Sequence, residues 1–164
     1  MTFTKKFTRH ILVVDDEPLI RKLHTELLVE LGFHVDSTED GSLAWLMLQL
    51  KDYDLLIIDN LMPNLSGIGL LKKIYAAGMA LPVIFATGTV PTWEFVTQPW
   101  LRPAVVFAKP YAMEELLAAV NKVLIADHTA RYKDISGRNK TASSWQIASR
   151  SPAFCTELLN FSPV

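Results

Sequence analysis

The sequence predicts an α/β fold in which helices cover both faces of a doubly wound, five-stranded parallel sheet. Two observations carry this prediction. Short runs of apolar, β-favouring residues alternate along the chain with segments whose apolar residues recur every three or four positions. The runs are also apolar without interruption, which is typical of strands that are covered on both faces. In sheets of this class, ligands bind at the carboxyl ends of the strands.

The predicted elements alternate in chain order. The strands are Ile11–Val14, Phe33–Val35, Leu55–Ile58, Val83–Phe85 and Val105–Phe107. The helices between and after them are Leu19–Leu31, Ser42–Leu50, Leu65–Ala76 and Met113–Ile125. Gly32 and Gly78 follow two of these helices, where glycine commonly ends a helix with a left-handed residue.

The fourth helix departs from this regular pattern. The segment Thr89–Pro103 reads TVPTWEFVTQPWLRP, and its prolines leave room for only about two helical turns between Pro91 and Pro99. The sequence therefore predicts a fourth helix that is short, displaced or absent.

The composition limits the classes of function. With 164 residues, half of them apolar, the chain fits one globular domain with a modest extension. A formal net charge of -1 gives no overall attraction to nucleic acid or to an anionic membrane. The single cysteine, Cys155, has no internal disulfide partner, and no apolar run reaches membrane-spanning length. We expect a cytoplasmic protein without nucleic-acid or membrane partners.

Polar side chains follow the ends of four predicted strands. Asp15 and Asp16 follow the first strand and Asp59 the third. Thr87 comes shortly after the fourth strand and Lys109 after the fifth. Because the carboxyl ends of parallel strands share one edge of the sheet, these five groups are expected to converge. Taken alone, the aspartate pair has a simpler explanation, as a helix cap ahead of a proline in the first turn.

The five groups together suit phosphoryl transfer. Three carboxylates at one edge repel one another unless a cation neutralises them, and Mg²⁺ prefers such hard oxygen ligands. Lys109 supplies a second positive charge. A carboxylate beside Mg²⁺, an ammonium and a hydroxyl can attack phosphorus, because these groups stabilise charge on the transferred phosphoryl oxygens. Asp59 is predicted to become an aspartyl phosphate.

These residues resemble the receiver domains of two-component response regulators, over about residues 9 to 126. The motif positions that match are the acidic pair Asp15 and Asp16, the phosphoacceptor Asp59, the hydroxyl Thr87 and the lysine Lys109. The resemblance implies the flavodoxin-like strand order 2-1-3-4-5, and it adds the carbonyl of Leu61 to the Mg²⁺ ligands. It also implies that the peptide bond between Lys109 and Pro110 is often cis.

The resemblance further implies a signalling role. A histidine kinase or a phosphotransfer protein would phosphorylate Asp59, and the modified domain would switch its protein contacts, with an unnamed downstream partner. The chain itself would not be an enzyme beyond its own phosphorylation and dephosphorylation. A homodimer is left open. A phosphatase of the haloacid dehalogenase type needs a second aspartate two positions after its nucleophile, where this chain has Glu17 or Leu61.

Two departures from the family pattern leave an alternative open. The family usually has an aromatic residue three positions before the lysine, where this chain has Val106, and Phe107 is expected on the opposite face of the strand. Together with the disrupted fourth helix, this suggests a receiver-like interaction scaffold that no longer switches. The aromatic residues of that region either anchor a partner or pack inside: Trp93, Phe95 and Trp100.

Residues 127–164 are predicted to form a C-terminal extension, an irregular or docking tail, after a receiver domain at residues 1–126. The extension is polar at first and then contains scattered apolar residues: Trp145, Ile147, Phe154, Leu158, Leu159 and Phe161. It is too short for a typical output domain, so we expect a stand-alone receiver. The histidines are scattered and are interpreted as surface or boundary residues: His10, His24, His34 and His128.

Overall fold

The structure, a computed structural model, describes residues 9–136. The strands are β1 His10–Val14, β2 His34–Thr38, β3 Leu55–Ile58, β4 Val83–Thr87 and β5 Val105–Ala108. The helices are α1 Pro18–Glu30, α2 Gly41–Leu50, α3 Gly67–Ala76, α4 Thr92–Thr97 and α5 Met113–Ser136. All strand pairs are parallel, in the order β2-β1-β3-β4-β5. The predicted fold class and strand order are confirmed.

Two apolar cores cover the two faces of the sheet. Alternate residues of each central strand enter different cores, so that Leu12 packs on the α2 and α3 side while Ile11 packs on the α1 and α5 side. Each fully buried side chain of this size contributes about 1.5–3 kcal/mol to folding. The burial of both faces explains why the strands read as uninterrupted apolar runs.

Glycines and capping side chains define several helix ends. Gly32 and Gly78 both adopt left-handed backbone, with φ angles of 87° and 66°. The Asp40 side chain accepts a hydrogen bond from the amide of Ser42 and so caps α2, while the Ser66 hydroxyl caps α3 in the same way. The α4 helix has only six residues, which confirms the prediction of a short fourth helix.

Two element boundaries differ from the prediction by more than two residues. The β2 strand continues to Thr38, because an edge strand needs only one apolar residue in two and polar residues fill the other positions. The α5 helix continues past Ile125 to Ser136, so the first part of the predicted irregular extension is helical. The chain divides into two compact units, Met1–Ile125 and Ala126–Val164.

Some expectations lie outside the described residues. The predicted docking of the tail and its apolar residues falls on residues 137–164, and the side chain of His128 is likewise not described. Among the helices of the described part, none combines the length and the apolar character needed to cross a bilayer.

Candidate functional site

The carboxyl edge of the sheet brings four of the predicted side chains to one pocket. Asp15 directly follows β1, Asp59 directly follows β3, Thr87 ends β4 and Lys109 directly follows β5. The exposed fractions are only 2% for Asp15, 5% for Asp59 and 0% for Thr87. The Nζ atom of Lys109 lies 2.8 Å from Oδ2 of Asp15 and 2.8 Å from Oδ2 of Asp59. One ammonium group thus bridges two buried carboxylates.

Glu17, rather than the predicted Asp16, joins Asp15 and Asp59 in the carboxylate cluster. Asp16 is exposed and is not part of the carboxylate cluster, whereas Asp15, Glu17 and Asp59 offer oxygen atoms that all lie within 4.8 Å of one another. Oε1 of Glu17 is 3.4 Å from Nζ of Lys109. Sequence reasoning missed Glu17, although its position beside the aspartate pair was an available signal.

Helix capping does not explain the aspartate pair. The N-cap position of α1 is Glu17, which directly follows the aspartate pair, and its side chain makes no capping hydrogen bond. Asp15 instead accepts a hydrogen bond from the Glu17 amide at 3.0 Å, which turns its carboxylate toward the pocket. The Asp15 carbonyl accepts from Nη1 of Arg21 at 2.6 Å, so α1 holds this residue from a second side.

The two carboxylate oxygens of Asp59 have different partners. Oδ1 accepts hydrogen bonds from the backbone amides of Asn60 and Leu61, the latter at 3.2 Å. Oδ2 accepts from Lys109 at 2.8 Å. Backbone amides and an ammonium therefore share the negative charge, and they fix the direction in which the carboxylate faces.

The pKa values of these groups shift in opposite directions. Burial raises the pKa of Asp59, but the hydrogen bonds from Lys109, Thr87 and the Leu61 amide, together with the charge of Lys109, outweigh burial and hold the pKa below its usual value. For Asp15, burial outweighs the same lysine and the pKa is raised. Burial lowers the pKa of Lys109, yet its bonds to the two carboxylates raise it above the ordinary value. Asp59 is therefore ionised and Lys109 positively charged at neutral pH.

The loop after Asp59 is held by close backbone contacts. A Cβ atom at Gly67 would lie 2.3 Å from the carbonyl oxygen of Asp59, and one at Gly41 would lie 2.1 Å from the carbonyl oxygen of Leu65. Both glycines are thus required by space. The same loop contains Asn64, whose φ angle is 61° and whose side chain donates to the carboxylate of Asp40.

The segment after β5 contains a contact that the sequence did not predict. The Lys109–Pro110 peptide bond is cis, as the resemblance implies. Two residues after the lysine, Oη of Tyr111 lies 2.9 Å from Nε2 of His24 on α1. His24 is only 1% exposed, so its interpretation as a surface or boundary residue is wrong.

Thr87 and its neighbours form the border between the pocket and the α4 region. The Thr87 hydroxyl donates to the carbonyl of Thr89 at 3.3 Å. On β5, Val106 packs in the core on the α2 and α3 side, while Phe107 packs in the opposite core. The predicted opposite orientation of Val106 and Phe107 is confirmed.

The aromatic residues near α4 divide between the two alternatives. Phe95 packs inside, edge-on to Phe85 with a centroid separation of 5.7 Å. Trp93 and Trp100 remain 75% and 52% exposed. Leu101, which follows the last of them, is completely buried.

The donor set of the pocket fits a hard divalent cation. Its three carboxylates supply only oxygen atoms, at mutual distances of up to 4.8 Å, and such ligands suit Mg²⁺ better than softer metals. Two of the carboxylates are buried, and Lys109 alone balances them within the cluster. A bound cation would relieve the remaining repulsion.

Comparisons with known proteins agree with the fold. The family model of the response regulator receiver domain matches residues 11–121. The transcriptional regulatory protein DltR of Streptococcus agalactiae is 35% identical over 112 residues, which cover 67% of this chain and 49% of DltR. The response regulator receiver protein CpdR of Brucella abortus is 29% identical over 118 residues, covering 72% of this chain and 98% of CpdR. This chain spans about half the length of DltR.

Solved structures give the same result. The response regulator TrrA of Thermotoga maritima, in complex with Mg²⁺-BeF, has 32% identity and a TM-score of 0.63, and the match covers 71% of this chain and 99% of TrrA. A response regulator receiver domain from Francisella has 27% identity and a TM-score of 0.67, with coverage of 73% and 98%. By the match of its residues 11–121, the chain belongs to the response regulator receiver domain family.

Proposed function

We propose that this protein is a phosphoacceptor receiver of a two-component phosphorelay, in which Mg²⁺-dependent phosphorylation of Asp59 switches protein contacts. The observation that carries the proposal is the buried Asp59 carboxylate, which is bonded to Lys109 on one oxygen and to backbone amides on the other. The partners proposed are a histidine kinase or a phosphotransfer protein upstream and another protein downstream. No nucleic-acid or membrane partner is proposed, and a homodimer stays open.

The chemical step is a direct transfer to the carboxylate. An oxygen of Asp59 attacks the phosphorus of a phosphohistidine, an O–P bond forms, and the P–N bond breaks. The electron pair of that bond stays on the donor imidazole. A proton from solvent then converts this ring to neutral imidazole. Asp59 needs no base, because its low pKa keeps it ionised. The ammonium of Lys109 stabilises the charge on the transferred phosphoryl oxygens.

The proposed Mg²⁺ ligands are the carboxylates of Asp15, Asp16 and Asp59 with the carbonyl of Leu61. The position of Glu17 in the acidic cluster adds a further carboxylate beside them. When bound, Mg²⁺ would neutralise charge on the phosphoryl group. The complex of the relative TrrA with Mg²⁺-BeF supports this assignment.

Thr87 is proposed to report the modification. Phosphorylation adds up to about two negative charges beside a hydroxyl that now donates to the carbonyl of Thr89. A new acceptor at Asp59 competes for that hydroxyl, and a turn of Thr87 toward the phosphoryl group frees the segment that leads into α4. The switch thus acts through the loop between β4 and α4.

The remaining proposals concern the chain as a whole. We propose a cytoplasmic protein with a receiver domain at residues 1–126 and an extension at residues 127–164. We propose no turnover substrate beyond the phosphoryl group on Asp59. The alternative of a scaffold that no longer switches is not favoured, because the pocket keeps the acidic residues and the lysine together.

Intact-protein mass spectrometry tests the acceptor. The wild type is incubated with acetyl phosphate, with Mg²⁺ or with a chelator, beside Asp59→Asn and the matched control Asp52→Asn, an exposed aspartate outside the pocket. We expect one phosphoryl adduct in the wild type and the control, and none in Asp59→Asn or without Mg²⁺. Absence of an adduct in the wild type, under conditions that label another receiver domain, would contradict the proposal and favour the scaffold.

A further inference from the structure

A buried histidine connects α1 with the segment that carries the pocket lysine. His24 is 1% exposed, and its Nε2 atom is 2.9 Å from Oη of Tyr111. The Tyr111 ring also packs against Phe107, with 5.2 Å between the centroids, so the tyrosine is held from two sides. Nothing in the proposed phosphoryl transfer requires this contact.

The protonation state of His24 makes the contact an ordinary neutral hydrogen bond. Burial and the nearby charge of Lys109 lower the pKa of His24 to about 4, so the ring is neutral at neutral pH. The other ring nitrogen, Nδ1, is buried without a hydrogen-bond partner. Whether Nε2 donates to Tyr111 or accepts from it, one buried polar atom stays unsatisfied, and this costs stability. An apolar residue of similar size would avoid that cost.

The contact lies behind the pocket. Tyr111 is two residues after Lys109, and the amide of Lys109 donates to the carbonyl of Thr87 at 2.8 Å. The segment is therefore fixed at the lysine by a backbone bond to β4, and two residues later by the side-chain bond to α1. The α1 helix also contacts the pocket at its start, where Arg21 holds the Asp15 carbonyl.

We propose that His24 is a positioning residue for Lys109: by binding Tyr111 to α1, it fixes the segment after β5 so that the lysine ammonium stays between Asp15 and Asp59. The proposal deepens the proposed function, since the phosphoryl transfer relies on the position of that ammonium. It assigns a functional reason to a buried polar group that costs stability. A displacement of the ammonium would weaken its bonds to both carboxylates.

Two substitutions remove the contact from opposite sides. His24→Leu replaces the imidazole by an apolar group, and Tyr111→Phe removes only the hydroxyl. We expect each to slow phosphorylation by acetyl phosphate about 3- to 10-fold, the effect of one ordinary hydrogen bond. The double variant should be no slower than the slower single variant, because both remove the same bond. His34→Leu, on the exposed part of β2, is the matched control and should react like the wild type.

Stability separates positioning from a merely structural role. The double variant removes the buried nitrogen that lacks a partner and also the Tyr111 hydroxyl that His24 binds, so its resistance to urea should equal or exceed that of the wild type while its phosphorylation is slower. A rate that falls only together with stability would overturn the proposal. So would a slow His24→Leu beside a Tyr111→Phe that reacts like the wild type.

A readout without phosphoryl transfer keeps this test separate from the proposed function. The side-chain ammonium signal of Lys109 in ¹H–¹⁵N spectra, assigned with Lys109→Arg, reports its bonds to the two carboxylates. We expect this signal to broaden or shift in His24→Leu and in Tyr111→Phe but not in His34→Leu. If the wild type is never phosphorylated, the proposed function fails, and this spectrum alone decides whether His24 positions Lys109. An unchanged signal in both contact variants would overturn the role of His24.

Discussion

The carboxyl edge of the sheet and the α4–β5 region, residues 89–108, meet at Thr87 but are held by different kinds of contact. At the edge, buried charged groups bond to one another, and glycines allow backbone to touch backbone. In the α4–β5 region a six-residue helix attaches mainly through Phe95, and two tryptophans face solvent. The pocket is therefore built without help from α4.

The different contacts of the two regions separate the residues that would accept a phosphoryl group from those that would transmit the resulting change. The groups that would accept a phosphoryl group depend on β1, β3 and β5 and on the loops that follow them. The groups that would transmit the change depend on a segment with little regular structure. An altered α4 can thus coexist with a complete pocket.

The largest expected loss of stability follows from a substitution at the carboxyl edge of the sheet. Gly41→Ala places a Cβ atom 2.1 Å from the Leu65 carbonyl, so backbone must move and the free energy of unfolding should fall by about 3 kcal/mol. Gly88→Ala is the matched control, because its Cβ would meet nothing within 4 Å and no left-handed backbone is required. Its effect should stay within about 0.5 kcal/mol. Urea unfolding measures both, and equal stabilities would contradict the close contact.

A smaller loss of stability is expected from substitutions in the α4–β5 region, and it tests which aromatic residue attaches α4. Phe95→Ala removes the ring that packs against Phe85, and we expect a loss of about 2 kcal/mol, below the range for fully buried rings because Phe95 is only partly buried. Trp93→Ala, at a 75% exposed side chain, should change stability by less than about 0.5 kcal/mol. Both variants should still form the phosphoryl adduct in mass spectrometry. Loss of the adduct in Phe95→Ala would show that the pocket does depend on α4.

The smallest effect distinguishes the two carboxylates that share Lys109. The folded-state pKa of Asp59 lies below its ordinary value of 3.8, so Asp59 stabilises the fold above that pH and loses this contribution as the pH falls through the folded-state pKa. The folded-state pKa of Asp15 lies above 3.8, so its contribution is present below that pH and is lost as the pH rises through the folded-state pKa.

The two substitutions should therefore act in opposite directions at neutral pH without divalent cations. Asp15→Asn should raise the free energy of unfolding, and Asp59→Asn should lower it. The Asp15→Asn difference should shrink as the pH falls from the folded-state pKa of Asp15 toward 3.8, and the Asp59→Asn difference as the pH falls from 3.8 toward the folded-state pKa of Asp59. Urea unfolding over this pH range checks the expectation. A decrease in stability for both variants at neutral pH would show that burial does not dominate at Asp15.

Much of the fold and the pocket could be predicted because each depends on a local pattern. Apolar runs mark strands that are covered on both faces, and a polar residue at the end of such a run must lie at the carboxyl edge. Asp59 and Lys109 were found in this way. The short α4 followed from Pro91 and Pro99, since proline restricts the backbone whatever the tertiary context.

Other features depend on contacts that no local pattern records. The burial of His24 results from packing against a distant tyrosine, although its spacing of four from Ile20 and from Leu28 placed it on the inner side of α1. The continuation of α5 to Ser136 lacks an apolar period that would have predicted it. Its residues are compatible with a helix and include no glycine or proline.

A phenol of α3 binds the loop before β5. Oη of Tyr75 donates to the carbonyl of Arg102 at 2.9 Å and accepts from the amide of the same residue at 3.4 Å. The side chain thus satisfies both backbone groups of Arg102, as a neighbouring strand would do in a sheet. The path of the chain from α4 to β5 is therefore anchored on α3, so a displacement of α3 reaches this loop directly, without passing through the hydrogen bonds between the strands.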